Sequence, residues 1–504
     1  MRLIAKLVAA LLVLLIIAVV FVWMTVPLNV PWRSMLQQAG LLPEWLDPAP
    51  MSAEVVDSQL VPPDGYGVSL FAEGIAEARG LRVTQAGDVL VSTPRDGRVV
   101  LLAADRNDDG ASDGRRVLVE GLTRPNGLEL ANGYLYVGEE DGVGRIGFDA
   151  AGGVVDGRYE RIIDGLPPGG NHWKKTIRFG PDGLLYVAVG SSCNVCIEED
   201  PRRAAILRYT AEGAFVDTFA TGLRNSGGFD WSPATGTLYA TDNGRDLLGD
   251  EFPPCELNAV VEGGFYGWPF ANGINLPDPD FGEGQQVVIG ASIPPAHEFR
   301  AHNAPLGIVF LRQRDHPTEY RGAAVVALHG SWNRTAKDGY KVVSLHFGRD
   351  GSIEERDFLT GFLHDDDAIG RPTDVAEGPD GSVYVSDDFG SAVYRVRYGA
   401  STTTSFGLSD GAASAGYDPA TASEQERQSA LVSGPGVLEA EECLVCHAVS
   451  AGGDPGQVVL TDLATKYTVD ELADYLAMPT LPMPPYDAGP EQRRALAVYL
   501  LESF

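Results

Sequence analysis

Pro181-Asp182-Gly183-Leu184-Leu185-Tyr186-Val187 is a tight turn running into a string of apolar residues, and its wording recurs along the chain. Gly87-Asp88-Val89-Leu90-Val91, Asn132-Gly133-Tyr134-Leu135-Tyr136-Val137, Thr235-Gly236-Thr237-Leu238-Tyr239-Ala240 and Pro379-Asp380-Gly381-Ser382-Val383-Tyr384-Val385 repeat it. Arg321-Gly322-Ala323-Ala324-Val325-Val326-Ala327 is a weaker sixth copy. Gly, Asp and Asn supply the backbone angles and local hydrogen bonds of a turn, and the β-branched and aromatic residues that follow suit a pleated strand with period-two alternation. Repetition at about fifty residues reads as propeller blades. The pattern predicts a mainly β chain built on a six-bladed β-propeller over residues 33–398. The oversized gap between Tyr239 and Val326 then carries a long insertion on one face, where the loops of a propeller gather around its channel.

Working outward, the N-terminus reads Met1-Arg2-Leu3-Ile4-Ala5-Lys6 and then has no charge from Leu7 to Val30. Such a run is long enough to cross a bilayer as a helix. It passes through Phe21, Trp23, Met24 and Pro27 rather than a small-x-small cleavage site, so residues 1–32 are expected to be an uncleaved membrane anchor. With Arg2 and Lys6 on the cytoplasmic side, a single pass of the inner membrane leaves the bulk of the chain in the periplasm or outside the cell. The 69 acidic and 38 basic residues give a net charge of −31, which argues against a nucleic-acid partner, since that requires clustered Lys and Arg.

At the other end, residues 399–433 begin with a stretch rich in Ser, Thr, Gly and Ala that is expected to be a flexible linker. Beyond it stands Cys443-Leu444-Val445-Cys446-His447, a Cys-x-x-Cys-His haem-attachment signature. Two thiols at that spacing can add to the vinyl groups of one haem c while the adjacent imidazole reaches the iron. Half of a zinc site is the competing reading, but zinc needs two further Cys or His ligands and none follows His447. The order of Cys-x-x-Cys-His, a late Met483-Pro484 loop and a closing helix around Ala488 to Leu501 resembles the small class I cytochromes c. That resemblance implies an all-α cytochrome c domain over 434–504 with His447 and Met483 as axial ligands. Met478 is the other methionine in reach, and core packing is its plainer role.

Three stretches of the propeller place polar residues where blade strands end. They are Gly169-Gly170-Asn171-His172-Trp173-Lys174-Lys175, Gly222-Leu223-Arg224-Asn225-Ser226-Gly227-Gly228, and the run from Asp242-Asn243-Gly244-Arg245 through Glu256-Leu257-Asn258 to Trp268-Pro269. Together they resemble the soluble quinoprotein sugar dehydrogenases and the related sorbosone dehydrogenases, propellers that bind pyrroloquinoline quinone (PQQ) and calcium. The resemblance implies that His172 is the general base for a sugar or hydrated aldehyde. It implies that Arg224 stabilises charge on the quinone oxygen, with Asn225 beside it. It also implies that backbone carbonyls near Gly244 and Arg245 hold calcium. An imidazole near neutral pKa suits the first role, and carbonyl oxygens suit a hard cation. The plainer alternatives are a His satisfied in a turn and an Arg in a surface ion pair.

The resemblance extends to His329-Gly330-Ser331-Trp332-Asn333-Arg334 and Gly370-Arg371-Pro372. There Arg371 matches a PQQ-pairing Arg, and His329 or Arg334 stands in for a family lysine. A second family Arg is Thr373 here, a departure that favours the sorbosone-like branch.

Asp105, Asn107, Asp109 and Asp113 have calcium-loop spacing around Gly110, although Arg116 occupies the position of the bidentate Glu; a second calcium or an acidic turn are both open. Setting aside Cys443 and Cys446, the five cysteines leave Cys193, Cys196 and Cys255, with a local Cys193–Cys196 disulfide favoured and Cys255 a lone thiol.

The function expected is a membrane-anchored dehydrogenase. A sugar or aldehyde would give electrons to PQQ, the haem would receive them, and a downstream respiratory acceptor would take them on. A calcium-dependent propeller lactonase or hydrolase, and a non-catalytic propeller that presents a haem, are the alternatives.

Overall fold

The computed structural model describes residues 51–364 and 366–400. Of the C-terminal part it describes 419, 422–440, 443, 447–448, 458–460, 463–477, 486 and 488–503. The expected anchor at residues 1–32 lies outside the described residues, among which no helix is long and apolar enough to cross a membrane. The chain falls into two compact units that part between Thr404 and Ser405.

Six antiparallel blades of four strands make up the first unit, the third extended by a short parallel fifth strand, Gly264–Phe265. Blade 1 runs outward through Leu81–Val83, Val89–Thr93, Arg98–Leu102 and Arg115–Val119; blade 3 starts from Lys175–Phe179 and Leu185–Val189, and blade 4 from Phe229–Trp231 and Leu238–Asp242. Blade 6 is completed by the N-terminal strand Tyr66–Ala72, which pairs antiparallel with the last strand Ala392–Tyr398, Tyr66 opposite Tyr398. Pairing the two ends of the propeller sequence within one blade fastens the ring shut and leaves only short outer-strand edges. Tyr66 is buried there among Tyr320, Phe358 and Tyr398, its hydroxyl 3.0 Å from His316 Nδ1.

Every copy of the recurrent turn-and-strand unit is the second strand of a blade. The strict alternation expected of these strands is not what forms. Val89–Thr93, Leu185–Val189, Ala324–Leu328 and Val383–Asp387 are buried along their whole length. A blade packs against a neighbour on each face, so both faces of its inner strands leave water, while outer strands such as Val154–Asp164 keep one face wet. Six hydrophobic clusters lie between successive blades, for example Leu90, Leu101, Leu128 and Leu135 between blades 1 and 2. Each fully buried Val or Leu in these seams contributes roughly 1.5–3 kcal/mol, and Val187→Asp is the kind of change that would open one.

The expected insertion lies in blade 4, between Cys255–Val260 and the outer strand His297–Phe299. It holds the short pair Ala271–Asn272 and Leu276–Pro277 and the helix Gln286–Ala291.

In the second unit the expected linker, residues 399–433, ends earlier than its composition suggested. A helix spans Glu424–Ala440, with Ser423 Oγ accepting from the Glu426 N–H at its start. Its Ala430 and Leu438 pack with Leu472, Leu476, Leu496 and Leu500, so apolar contact rather than local composition sets the boundary. The closing helix runs Pro490–Ser503, with proline at its first position, where no N–H is needed. The all-α expectation is modified by one short parallel pair, His447–Ala448 with Val458–Val459.

Candidate functional site

In each blade the second strand ends where the inner strand begins, so the residues just before inner strands and the loops after second strands share one mouth of the channel. Arg79 precedes the inner strand of blade 1, His172 and Lys174 that of blade 3, Arg224 and Asn225 that of blade 4, and Arg371 that of blade 6. After the second strands come Ser191 to Glu198 in blade 3, Asn243 to Asp246 in blade 4, His329 to Arg334 in blade 5, and Asp388 in blade 6. The structure thus brings together His172, Arg224 and Asn225, and likewise His329 and Arg371, as the sequence suggested. Deeper in, the channel closes to a space of about 30 Å³, room for a water and nothing larger. A ligand of any size must sit at the mouth.

His172 Nδ1 lies 2.8 Å from Ser191 Oγ and 3.2 Å from the Ser191 carbonyl. Ser191 Oγ in turn donates to the Cys193 carbonyl at 2.8 Å. A hydroxyl has one proton and a carbonyl has none, so Nδ1 must donate, and the imidazole lone pair is on Nε2. Burial, then Arg224 and Lys174, hold the His172 pKa well below the usual imidazole value, so the ring is neutral at physiological pH. Gly190 makes room for it: a Cβ there would stand 2.4 Å from His172 Cβ and 3.1 Å from Asn225 Oδ1.

Arg224, 3 % exposed, spends all its N–H donors on this protein. Nε donates to the Asn194 carbonyl, Nη1 to the carbonyls of Asn243 and Gly244, and Nη2 to Asn194 Oδ1 and Asp246 Oδ2, at 2.8–3.0 Å. This differs from the expected role of Arg224 at a quinone oxygen, for which no N–H is left over. The backbone N–H groups of Arg224 and Asn225 both donate to Asp242, whose buried carboxyl is pushed up to about 7. Its register partner Glu256 is pushed up to about 8, by burial and then by Asp242.

On the far side of the mouth the cations are not all spent. Arg79 pairs with Asp388 through Nη2 at 2.5 Å, yet its Nε and Nη1 are buried without partners. Arg371 donates Nε to the His329 carbonyl and Nη2 to the Gly330 carbonyl, each at 3.1 Å, and Tyr340 lies beneath its guanidinium. Lys174 makes no hydrogen bond or ion pair to the described residues, and its ammonium is pulled down to about 7 by burial and then by Arg79. His329 donates Nε2–H to Asp388 at 2.9 Å and is pushed down to about 3 by burial and then by Arg371, so it is neutral. Asp388 stays ionised because Arg79 and His329 outweigh its burial. Arg79, Lys174 and Asp388 were missed in the sequence. Arg79 could have been found by aligning the blades, since Arg79-Gly80-Leu81 enters its inner strand as Asn126-Gly127-Leu128 does.

Other expected ligands do not gather. Arg334 donates to the Ala301 carbonyl and to Glu251, so it pins the loop around Glu251 rather than facing a cofactor beside Arg371. At the expected calcium loop, the Gly244 carbonyl already accepts from Arg224, and the Arg245 side chain is bound by Asp278 and Asp280. Asn243, Gly244 and Asp246 do form an oxygen-lined cation nook, but the Arg224 guanidinium fills it, and these residues do not fit calcium with Arg224 in place.

Asp105, Asn107, Asp109 and Asp113 fold onto backbone N–H groups of their own turn, and Asp105 is neutralised by Arg395 at 2.7 Å. Among the described residues, the one group of three metal-ligand side chains within 4.8 Å is Cys193, Cys196 and Glu198. There both sulfurs are joined in the expected disulfide. Cys255 is a buried thiol pushed up to about 11 by desolvation. Cys446 and Met483 lie outside the described residues, as does the side chain of His447.

The six blades thus close a ring that carries, at one mouth, a neutral imidazole and cations with unfilled hydrogen-bond donors. The family model described as TrAA12-like matches residues 60–251 and 286–398, more than half of the chain, and the chain belongs to that family. It is similar to aldose sugar dehydrogenase YliI of Escherichia coli, 24% identical over 375 residues that cover 68% of this chain and 92% of that protein. The calcium structure of the Carbohydrate-Active Enzymes Family AA12 protein of Trichoderma reesei shares its fold, with a TM-score of 0.59 and 20% identity over 68% of this chain and 97% of that one. So does the holo form of the pyranose dehydrogenase PQQ domain of Coprinopsis cinerea, with a TM-score of 0.57 and 20% identity over 67% and 97%.

Proposed function

We propose that this chain is a quinoprotein dehydrogenase that oxidises an aldose or a related aldehyde with PQQ and hands the electrons to its own c-type haem. The observation that carries the reading is the mouth of the channel. Arg79 has two buried nitrogens with no partner, and Lys174 and Arg371 stand near it. Asp388 balances the Arg79 charge, but each buried N–H left without an acceptor costs about 1–3 kcal/mol, which an incoming carboxylate would recover. In a chain of net charge −31, a positive mouth is a local exception with a purpose. PQQ is a tricarboxylate, and these residues fit it: Arg79, Lys174 and Arg371 would hold the carboxylates.

When bound, PQQ supplies a two-electron acceptor that takes hydride from the substrate carbon. This chain supplies the rest. His172 Nε2 holds the lone pair that takes the substrate hydroxyl proton, and Ser191 keeps that tautomer in place. Arg224 orders the loops carrying Asn194 and Asp246 on the substrate side. The Gly190 notch sets His172 against Asn225. Calcium is proposed as a companion ion only by likeness to the calcium structure of the Trichoderma protein; the loop at residues 243–246 does not fit it while Arg224 fills that nook, and no step here depends on it.

The haem is proposed on the Cys443-Leu444-Val445-Cys446-His447 signature: Cys443 and Cys446 would hold it covalently, His447 and Met483 would hold its iron, and a Met ligand would raise its potential, as an electron acceptor requires. Export across the inner membrane, with residues 1–32 as the anchor, is supported by the Cys193–Cys196 disulfide, a bond of oxidising compartments. A respiratory carrier is the proposed onward acceptor. Reconstitution of the full chain with PQQ and calcium, followed by aldoses and aldehydes, should reduce the haem in an absorbance assay. Bound PQQ with no reduction of the haem or of an artificial acceptor by any substrate would overturn the proposal.

A further inference from the structure

We infer that the ring closed by Cys193 and Cys196 is a redox-sensitive clamp on the two functional side chains, with Asn194 and Ser191 as its positioning residues. The inference rests on the reading of His172 as the base.

The ring stands directly after the second strand of blade 3, where its residues reach both partners. Asn194, inside the ring, accepts from Arg224 through its carbonyl and its Oδ1. The same Oδ1 accepts from the Asp246 N–H at 2.8 Å, and Nδ2 donates to the Asp246 carbonyl at 3.1 Å. One side chain thereby ties the loop of blade 3 to the loop of blade 4 and leaves Arg224 a single geometry. Cys193 acts on the other partner. Its carbonyl accepts from the Ser191 hydroxyl, so that Ser191 Oγ joins the Ser191 carbonyl in accepting from His172 Nδ1–H. A free loop of this length would sample many conformations, and the disulfide removes most of them.

The ring is accessible enough to be opened. Cys193 and Cys196 are half-buried, and Glu198 Oε1 lies 3.9 Å from one sulfur and 3.8 Å from the other. That carboxylate disfavours thiolate formation, so weak monothiols should leave the ring closed. A dithiol reductant gives two electrons and two protons: its first thiolate attacks one sulfur, its second resolves the mixed disulfide, and Cys193 and Cys196 end as thiols. The carbonyl of Cys193 and the amide of Asn194 are then free to turn away. Ser191 can donate to His172 instead, which moves the ring proton to Nε2 and blocks the base.

The test uses the full chain labelled with 15N-histidine, before and after dithiothreitol, with thiol counting to show that two new thiols have formed. The His172 resonances are assigned by their loss in His172→Asn. The closed ring should show the Nδ1–H tautomer, and the opened ring a mixture containing Nε2–H. Turnover should fall about 10- to 100-fold with KM nearly unchanged, as expected for misplacement at the reacting centre, and reoxidation should restore it. Asn194→Asp, which keeps the acceptor for Arg224, should retain more turnover than Asn194→Ala. An unchanged His172 tautomer in fully reduced protein overturns the clamp, and so does unchanged turnover. If no substrate is oxidised even with the ring closed, the dehydrogenase reading fails, while the tautomer measurement still decides the clamp.

Discussion

The two sides of the channel mouth use the same residue types in opposite ways. On the side of blades 3 and 4, Arg224 spends every donor on Asn194, Asn243, Gly244 and Asp246, and His172 is fixed by Ser191. On the side of blades 1 and 6, Arg79 keeps two nitrogens without partners, and Lys174 of blade 3 lies near enough to it for its ammonium to be pulled down to about 7. A guanidinium whose hydrogen bonds are complete shapes a site, whereas one left incomplete has donors to offer a water or a ligand. The difference separates positioning from binding, and each side can be broken on its own.

The largest effect is expected at the closed side. His172→Asn should lower substrate oxidation by roughly 10²- to 10⁴-fold while PQQ binding, read by thermal shift, is retained. Normal turnover in that variant would remove the base from the closed side. Arg224→Ala should cost about 3 kcal/mol of stability, measured by urea unfolding, because it leaves Asp246 Oδ2 and several buried carbonyls without a donor. A fall in PQQ affinity with unchanged stability would instead place Arg224 among the ligand-binding cations and erase the contrast.

Beneath Arg224, Glu256 offers a pH test. Its folded pKa is about 8 against an unfolded value of 4.5, so the fold holds a proton that the unfolded chain has released. Stability therefore declines as pH rises from about 4.5 to about 8 and then levels off. Glu256→Gln should flatten that decline and add about 2–4 kcal/mol at pH 8.5 with little change at pH 4.5; equal effects at both values would contradict the buried, protonated carboxyl.

On the open side, Arg79→Ala should weaken PQQ by about 10- to 100-fold through lost charge-assisted hydrogen bonds, and it should also lower stability because the buried Asp388 carboxylate loses its ion pair; unchanged PQQ affinity in the folded variant would take Arg79 out of the binding side. The smallest expected effect is at Lys174. With a pKa of about 7 it loses its charge as pH rises through 7, so PQQ affinity should decline a few-fold between about pH 6 and 8. Lys174→Met should bind PQQ more weakly at pH 6 and remove that slope in a titration by fluorescence quenching.

The closed side was the more legible in the sequence. His172, Arg224 and Gly244 lie in motifs whose Gly and Asn residues announce turns at strand ends, and a local turn is a short-range property. Orientation was not legible there. An Arg in a turn can face a cofactor or grip carbonyls, and both Arg224 and Arg334 turned out to grip carbonyls because nearby backbone oxygens are closer than any ligand. The open side was the less legible. Arg79, Lys174 and Asp388 belong to blades 1, 3 and 6 and have no shared motif, so nothing short of ring closure puts them together. The linker boundary failed similarly, since Glu424–Ala440 becomes helical through packing against the closing helix.

By itself the sequence determined the number of blades, the strand that repeats in each and the placing of His172 beside a strand end, because turn chemistry and strand preference act over a few residues. The tertiary structure alone decided which cations are spent and which are left open. That depends on strands hundreds of residues apart in sequence meeting around one channel, as when Tyr66–Ala72 closes blade 6 beside Ala392–Tyr398. A side chain's charge is written in the chain; the partner that neutralises it is supplied by the closed ring.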